Sequence, residues 1–253
     1  MTGAAPPRRA LLGLSLDALT MEQTVARCVA AVEGRENLTI GVVNAAKAVR
    51  MSEDELLRDS VTSCDLVVAD GQAIVWASRF LGRPLPERVA GIDLFTSLME
   101  EGARRSYRAY FLGARPEVIE RVVAEVRARY PGLEVAGARD GYFTDEQAPE
   151  VAARIGEAKP DLLFLGMTSP KKEIFLARFA EDVRAGVIHG VGGSFDVFAG
   201  KVRRAPALWQ RLGLEWFYRF LQEPLRLGPR YLSTNTRFAW MVVKEYVQGR
   251  GRA

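Results

Sequence analysis

Marked by its apolar positions alone, the chain divides into short apolar runs separated by longer stretches with helical spacing. The runs are 38–43 (LTIGVV), 66–69 (LVVA), 109–112 (AYFL), 133–136 (LEVA), 162–165 (LLFL) and 187–188 (VI). Runs of this length with little polar interruption suit strands covered on both faces. After Thr20, a residue type that caps helices, Val25, Cys28, Val29 and Val32 make an apolar stripe up to about Glu33. Helical spacing returns over 45–59 through Val49, Leu56 and Leu57, after Gly71 through Ile74, Trp76 and Phe80, and beyond Asp93 through Leu94, Phe95, Leu98 and Met99. A further helix is predicted over 145–158, ended by Pro160-Asp161. The section 109–136 is the clearest unit: strand, turn Gly113-Ala114-Arg115, Pro116 at a first-turn position, helix to Tyr130, break at Pro131-Gly132, strand. A strand–helix–strand unit implies parallel neighbours. Residues 2–9 read as disordered. The alternation predicts an α/β chain with a doubly wound, mostly parallel sheet.

This pattern places several polar residues and glycines at the carboxyl ends of strands, where open parallel sheets bind ligands. Asn44 follows the first strand and Asp70-Gly71 the second; Gly113 and Gly166 follow two later ones. The last strand opens into GVIHGVGGSFDVFAGKVRR (186–204), a glycine turn that delivers Ser194 and Asp196 to the start of a short helix. Such a turn lets backbone N–H groups approach an anion at a helix N-terminus, or serves only to bend the chain. Asp70 has two readings as well, a general base beside a cleft or a capping carboxylate in an Asp-Gly turn. Asp196, Asp140 and Asp93 are weaker candidates for the same role. The segment GMTSPKKE (166–173) reads either as a nucleotide-contacting loop or as a solvated helix start.

Charge changes the picture at the C-terminal end. Residues 201–253 hold eleven Lys or Arg against three acidic residues, whereas 1–200 carry a net −4. Trp209, Leu212, Trp216 and Phe220 recur there at helical spacing among the arginines. The division expected is a core over 1–200 and a basic helical appendage over 201–253. A basic amphipathic helix with interfacial aromatics lies in an anionic membrane surface or packs its stripe on the core. No apolar run reaches the about 20 residues that span a bilayer, and no secretion signal is expected, so a cytoplasmic protein is predicted. Two cysteines outside any CxxC pattern and a single histidine, His189, argue against zinc sites, disulfide frameworks and multi-histidine centres. His189 reads as a buried strand-end residue. There is no Asp-x-Asp, so no metal-held diphosphate is expected, and a departing diphosphate would need helix N-termini and arginines. An RNA-binding or nonenzymatic nucleotide-binding protein is the alternative, although no complete GxGxxG, Walker or RNA-binding signature is present.

Taken in order, VVADGQAIVW, ERVAGIDL, FLGA, YPGLEVAG, DGYF, PDLLFLG, SPKKE, GVGGSFDVFAGKVRRAP and GLEWFYRFLQEPLR resemble the WecG/TagA/CpsF bacterial glycosyltransferases over roughly residues 11–230. The resemblance implies a Rossmann-like α/β transferase of surface-polysaccharide assembly. Such an enzyme moves a sugar from a UDP-sugar to a polyprenyl-diphosphate-linked acceptor, inverts the anomeric centre, and uses no metal or other cofactor. It works at the inner face of the cell membrane, with no nucleic acid partner; a homo-oligomer is left open. The family's base falls on Asp70 and its strand-end asparagine on Asn44. The substrate-binding positions implied are Gly71, Arg88, Asp93, Gly113, Gly166, Pro170, Lys171, Lys172, Glu173, Gly192, Gly193, Asp196, Arg203 and Arg204, with Arg219, Arg226 and Arg230 as diphosphate contacts. Two positions depart from the family: Val42 stands where a threonine is usual, and Lys172 where a glutamine is usual.

Overall fold

The computed structural model describes residues 7–168, 171–222 and 224–250. Six strands, β3 (Leu38–Val43), β4 (Leu66–Ala69), β5 (Arg108–Gly113), β6 (Glu134–Arg139), β7 (Leu162–Gly166) and β8 (Val187–Gly190), form one sheet in the order β4-β3-β8-β7-β5-β6. Every neighbouring pair is parallel. The Rossmann-like α/β architecture expected from the sequence is therefore present, and all six strands point their carboxyl ends to one edge.

Alternate residues of the inner strands face two helix layers, one holding a single buried cluster and the other two. Phe111 and Phe164 face the layer that holds Phe95, Phe195 and Val122, while Leu112, Leu163 and Leu165 face Val151, Ile155 and Phe175. One layer contains α1 (Met21–Glu33), α5 (Gly91–Arg105), α6 (Pro116–Arg129) and the short α9 (Ser194–Phe198). The other contains α2 (Ala45–Met51), α3 (Glu55–Thr62), α4 (Gln72–Phe80), α7 (Ala148–Ala158) and α8 (Lys171–Val183). Phe95 and Phe164 meet edge to face with centroids 4.7 Å apart, and Phe111 stacks on Phe164 at 5.6 Å. Burying each such ring stabilises the fold by about 2–3 kcal/mol.

Thr20 caps α1 in a capping box with Gln23. The single helix expected over 45–59 is two, because Asp54 accepts the Leu57 N–H at 2.9 Å and starts α3 afresh. The stretch read as disordered includes the start of an antiparallel hairpin, β1 (Arg8–Leu11) and β2 (Leu14–Asp17). Buried Asp17 holds it: one carboxylate oxygen takes Arg8 Nε at 2.9 Å, the other takes the Val67 N–H at 2.7 Å, on the free side of edge strand β4. Covering an edge this way blocks pairing with other chains.

Beyond α9 lie α10 (Ala207–Arg211), α11 (Glu215–Gln222) and α12 (Pro224–Arg250). The aromatic stripe is interrupted at Gly213, whose φ of +71° ends α10. Trp209 stacks on Phe217, and Phe217 on Phe220. Helix α12 packs on α2 and contributes Phe238 to the core. Leu225, Leu232, Trp240 and Val247 are exposed along it.

Candidate active site

Two neighbouring strands bring the two predicted catalytic side chains together. Val43 and Ala69 are register partners, so Asn44 and Asp70 leave the sheet side by side. Asn44 is the N-cap of α2: its Oδ1 accepts the Lys47 N–H at 3.0 Å, which turns its amide nitrogen toward Asp70 Oδ2, 3.3 Å away. Gly71 makes this approach feasible, since a Cβ there would stand 3.0 Å from Asn44 Cβ. Asp70 Oδ1 accepts the N–H of Gly91, the first residue of α5, at 2.8 Å. The aspartate thus caps a helix whose own N-cap, Ala90, has no side chain able to do so. Asp70 is a capping carboxylate, and it also stands half-buried at the sheet edge with lone pairs to spare.

The other side of Gly91 is held by His189. Its Nε2 lies 3.0 Å from the Gly91 carbonyl, so that nitrogen carries the proton and donates. Burial, reinforced by Lys172 and Lys47 and opposed by this hydrogen bond, pushes the imidazole down to about 4. The ring is neutral and its role is to fix the peptide that orients Asp70. Lys47 in the first turn of α2 and Lys172 in the first turn of α8 both reach Glu173 Oε1, at 3.9 and 3.1 Å. Burial and then Lys172 push Lys47 down to about 8. Burial acts to raise Glu173, but the two ammonium groups outweigh it and hold the carboxyl below its usual range.

The far half of the edge is built from backbone. Gly113 has φ of +129° and passes so close to β7 that a Cβ would stand 2.5 Å from the Gly166 carbonyl carbon. Gly166 is itself pressed on Phe195, with room for no side chain. The Ala114 N–H reaches the Gly166 carbonyl at 3.1 Å, and the Gly141 N–H reaches Ala114 at 2.9 Å. Helix α6 starts here with no side-chain cap; Pro116 has no N–H and the Val118 N–H is taken by the Arg115 carbonyl at 3.0 Å, so the Glu117 N–H is the one of its first turn left for a ligand. The glycine turn stands alongside: Gly192 has φ of +52°, and neither Gly192 nor Gly193 has a heavy atom within 4 Å of where a Cβ would lie. Asp196 faces Lys201 at 3.8 Å. Lys171 is engaged by the protein, donating to the Gly141 and Phe143 carbonyls at 2.8 Å each and lying 4.1 Å from the Phe143 ring centre.

Arg88, Asp93 and Arg204 meet one another. Arg204 binds Asp93 through two bonds of 2.5 and 2.8 Å and reaches Glu215 at 3.1 Å; Arg88 pairs with the other Glu215 oxygen. Burial disfavours the Arg204 charge, yet its hydrogen bonds and attraction to Asp93 and Glu215 raise its basicity. This knot ties the start of α5 to α11. Arg203 is exposed. Pro170 lies outside the described residues, as do the side chains of Arg219, Arg226 and Arg230. Sequence reading missed Lys47, Gly91 and Glu215. Lys47 alone carried a signal, a cation three residues past a helix cap.

The family model for glycosyl transferases of the WecG/TagA/CpsF type matches residues 9–252. The chain belongs to this glycosyl transferase family. Two relatives are both named N-acetylglucosaminyldiphosphoundecaprenol N-acetyl-beta-D-mannosaminyltransferase. The Bacillus spizizenii protein is 40% identical over 166 residues, 66% of this chain and 64% of the relative. The Bacillus subtilis protein is 35% identical over 214 residues, 85% and 82% of the two chains. The match to the first thus spans less than two thirds of that relative's length. For a WecG/TagA/CpsF member, the resemblance seen in the motifs extends through α12, beyond the 11–230 read from sequence.

Proposed function

We propose that the chain is an inverting glycosyltransferase that moves an N-acetylhexosamine-type sugar, N-acetylmannosamine by likeness to the two Bacillus relatives, from a UDP-sugar to N-acetylglucosamine carried on a polyprenyl diphosphate. The observation that carries this reading is Asp70, fixed by the Gly91 N–H and the Asn44 amide at the carboxyl edge of the sheet. Asp70 takes the proton of the acceptor hydroxyl. The hydroxyl oxygen attacks the anomeric carbon from the face opposite the nucleotide, and the bond from that carbon to the diphosphate oxygen breaks. UDP leaves with the electron pair, its charge met by the Gly193 and Glu117 N–H groups and by arginines. No metal is required in this scheme, in keeping with a sequence that has no Asp-x-Asp.

The same reading places the protein on the cytoplasmic face of the cell membrane. No helix of the described residues is long and apolar enough to cross a bilayer. The exposed Leu225, Leu232 and Trp240 of α12 and the net +8 of residues 201–253 suit attachment to an anionic surface.

Purified protein given UDP-sugars and a lipid-linked N-acetylglucosamine acceptor tests the assignment, with the product identified by mass. Asp70→Asn is expected to lower turnover by about 10²–10⁴-fold while UDP binding holds. Full turnover in that variant removes Asp70 as the base, and turnover abolished by EDTA removes the metal-free scheme.

A further inference from the structure

Lys47 and Lys172 stand where local stability rules disfavour them. Each lies in the first turn of a helix, where the dipole is positive and carboxylates are preferred. Each is nearly buried, with 16% and 13% of the side chain exposed. They face each other across a single oxygen, Glu173 Oε1, so two ammonium groups share one carboxylate. Rules broken in this way without a structural gain mark sites of function.

The place is specific. Strand β8 lies between the strands that feed the two helices, and its last residue is Gly190. A Cβ at Gly190 would stand 2.7 Å from Lys172 Nζ, so the glycine is what admits the ammonium group to the foot of the 190–193 turn. Asn44 links the lysines to Asp70: its Oδ1 accepts the Lys47 N–H at 3.0 Å while its amide nitrogen lies 3.3 Å from Asp70 Oδ2. An anion bound between the turn and Asp70 meets both lysines.

We propose that Lys47 and Lys172 form a diphosphate subsite between the glycine turn and Asp70. The inference rests on the proposed transfer reaction for its physiological ligand. Two diphosphates take part in that reaction, the nucleotide's and the lipid acceptor's. Both present the same oxygens, and a pair of cations held apart by a carboxylate suits two phosphoryl groups better than one.

The groups facing Lys47 are Lys172 and Glu173 from α8, Cys64 from the turn before β4, Asp70 from the end of β4, and His189 on β8. Burial raises the Cys64 thiol, Glu173 is held charged and His189 neutral. Lys47, pushed down to about 8, therefore loses its proton within the alkaline range that leaves these three unchanged.

The test is calorimetric titration of the full chain with inorganic pyrophosphate and with UDP, for the wild type, Lys47→Met and Lys172→Gln. Each substitution is expected to weaken pyrophosphate binding at least tenfold at pH 7. The ratio of wild-type to Lys47→Met affinity should shrink between pH 7 and pH 9. Should Lys47→Met not fold, Lys47→Arg serves: it is expected to keep the pH 7 affinity and to hold it to pH 9 better than the wild type. Pyrophosphate affinity within twofold of wild type in the folded variants overturns the subsite, as does a Lys47→Arg affinity that follows the wild type across pH. Weakened UDP binding assigns the subsite to the nucleotide. Unchanged UDP binding with a raised KM for the lipid-linked acceptor assigns it to the lipid. Loss of pyrophosphate binding in the variants of a protein that transfers no sugar leaves the subsite standing and removes the reaction.

Discussion

The two halves of the sheet's carboxyl edge are made of opposite materials. Around β3, β4 and β8 the edge is crowded with polar and charged side chains: Asn44, Lys47, Asp70, Lys172 and His189, each held by a named partner. Around β5 and β7 the edge is built by leaving side chains out, with Gly113, Gly166 and Gly141 allowing three backbones to cross at van der Waals distance. In the proposed reaction the first arrangement takes the acceptor's proton and fixes charge, and the second is a shelf for the phosphate-bearing donor. A substitution in the backbone half should therefore act through packing, and one in the charged half through electrostatics.

Gly113→Val tests the backbone half most severely. The left-handed φ of +129° and the absence of space above Gly166 together lead us to expect a loss of about 3 kcal/mol or more, seen as a fall in the urea midpoint. A midpoint unchanged by valine would mean that the strands separate easily and the shelf is not rigid.

In the charged half, His189 gives a smaller effect with a definite pH signature. Its pKa falls from 6.5 to about 4 on folding, so below pH 6.5 the unfolded chain takes up a proton that the folded chain refuses. Its contribution is present in full above pH 6.5 and is lost as pH falls toward 4, by roughly 3 kcal/mol in all. Urea titrations at pH 7 and pH 4.5 should show a steeper loss for the wild type than for His189→Gln. Equal losses would mean that the histidine is not sealed from solvent.

Lys171, at the start of α8 and bonded to the loop after β6, should give the least. Lys171→Met strips two loop carbonyls of their donor, at an expected cost of about 1 kcal/mol, or roughly 2–4 °C in melting temperature. A large loss of transfer with an unchanged melting temperature would instead make Lys171 a ligand-contacting group.

The sheet was easy to read from sequence because buried parallel strands are continuous apolar runs; 38–43 and 66–69 match β3 and β4 residue for residue. Helix ends with strong caps were equally plain. The N-terminal hairpin was not, since its strands are four residues long, open on Arg8-Arg9, and owe their place to the remote bond from Asp17 to Val67. Strand β6 runs on to Arg139, beyond the apolar run, because an edge strand with half-exposed residues carries a weaker pattern. Of the site, Asn44 and Asp70 were legible at strand ends. The partnership of Lys47 with Glu173, and of Arg88 with Glu215, joins residues far apart in sequence and leaves no local trace.

The hairpin also joins the beginning of the chain to its end. Glu245 of α12 accepts the Leu12 N–H at 2.6 Å and Arg83 at 2.6 Å, while Arg83 also reaches the Ala10 carbonyl at 3.0 Å. During synthesis the hairpin must wait for the last helix before this clasp can close. Undocking of α12 is then recorded at the opposite terminus, where hydrogen exchange at the Leu12 amide reports on a helix more than two hundred residues away.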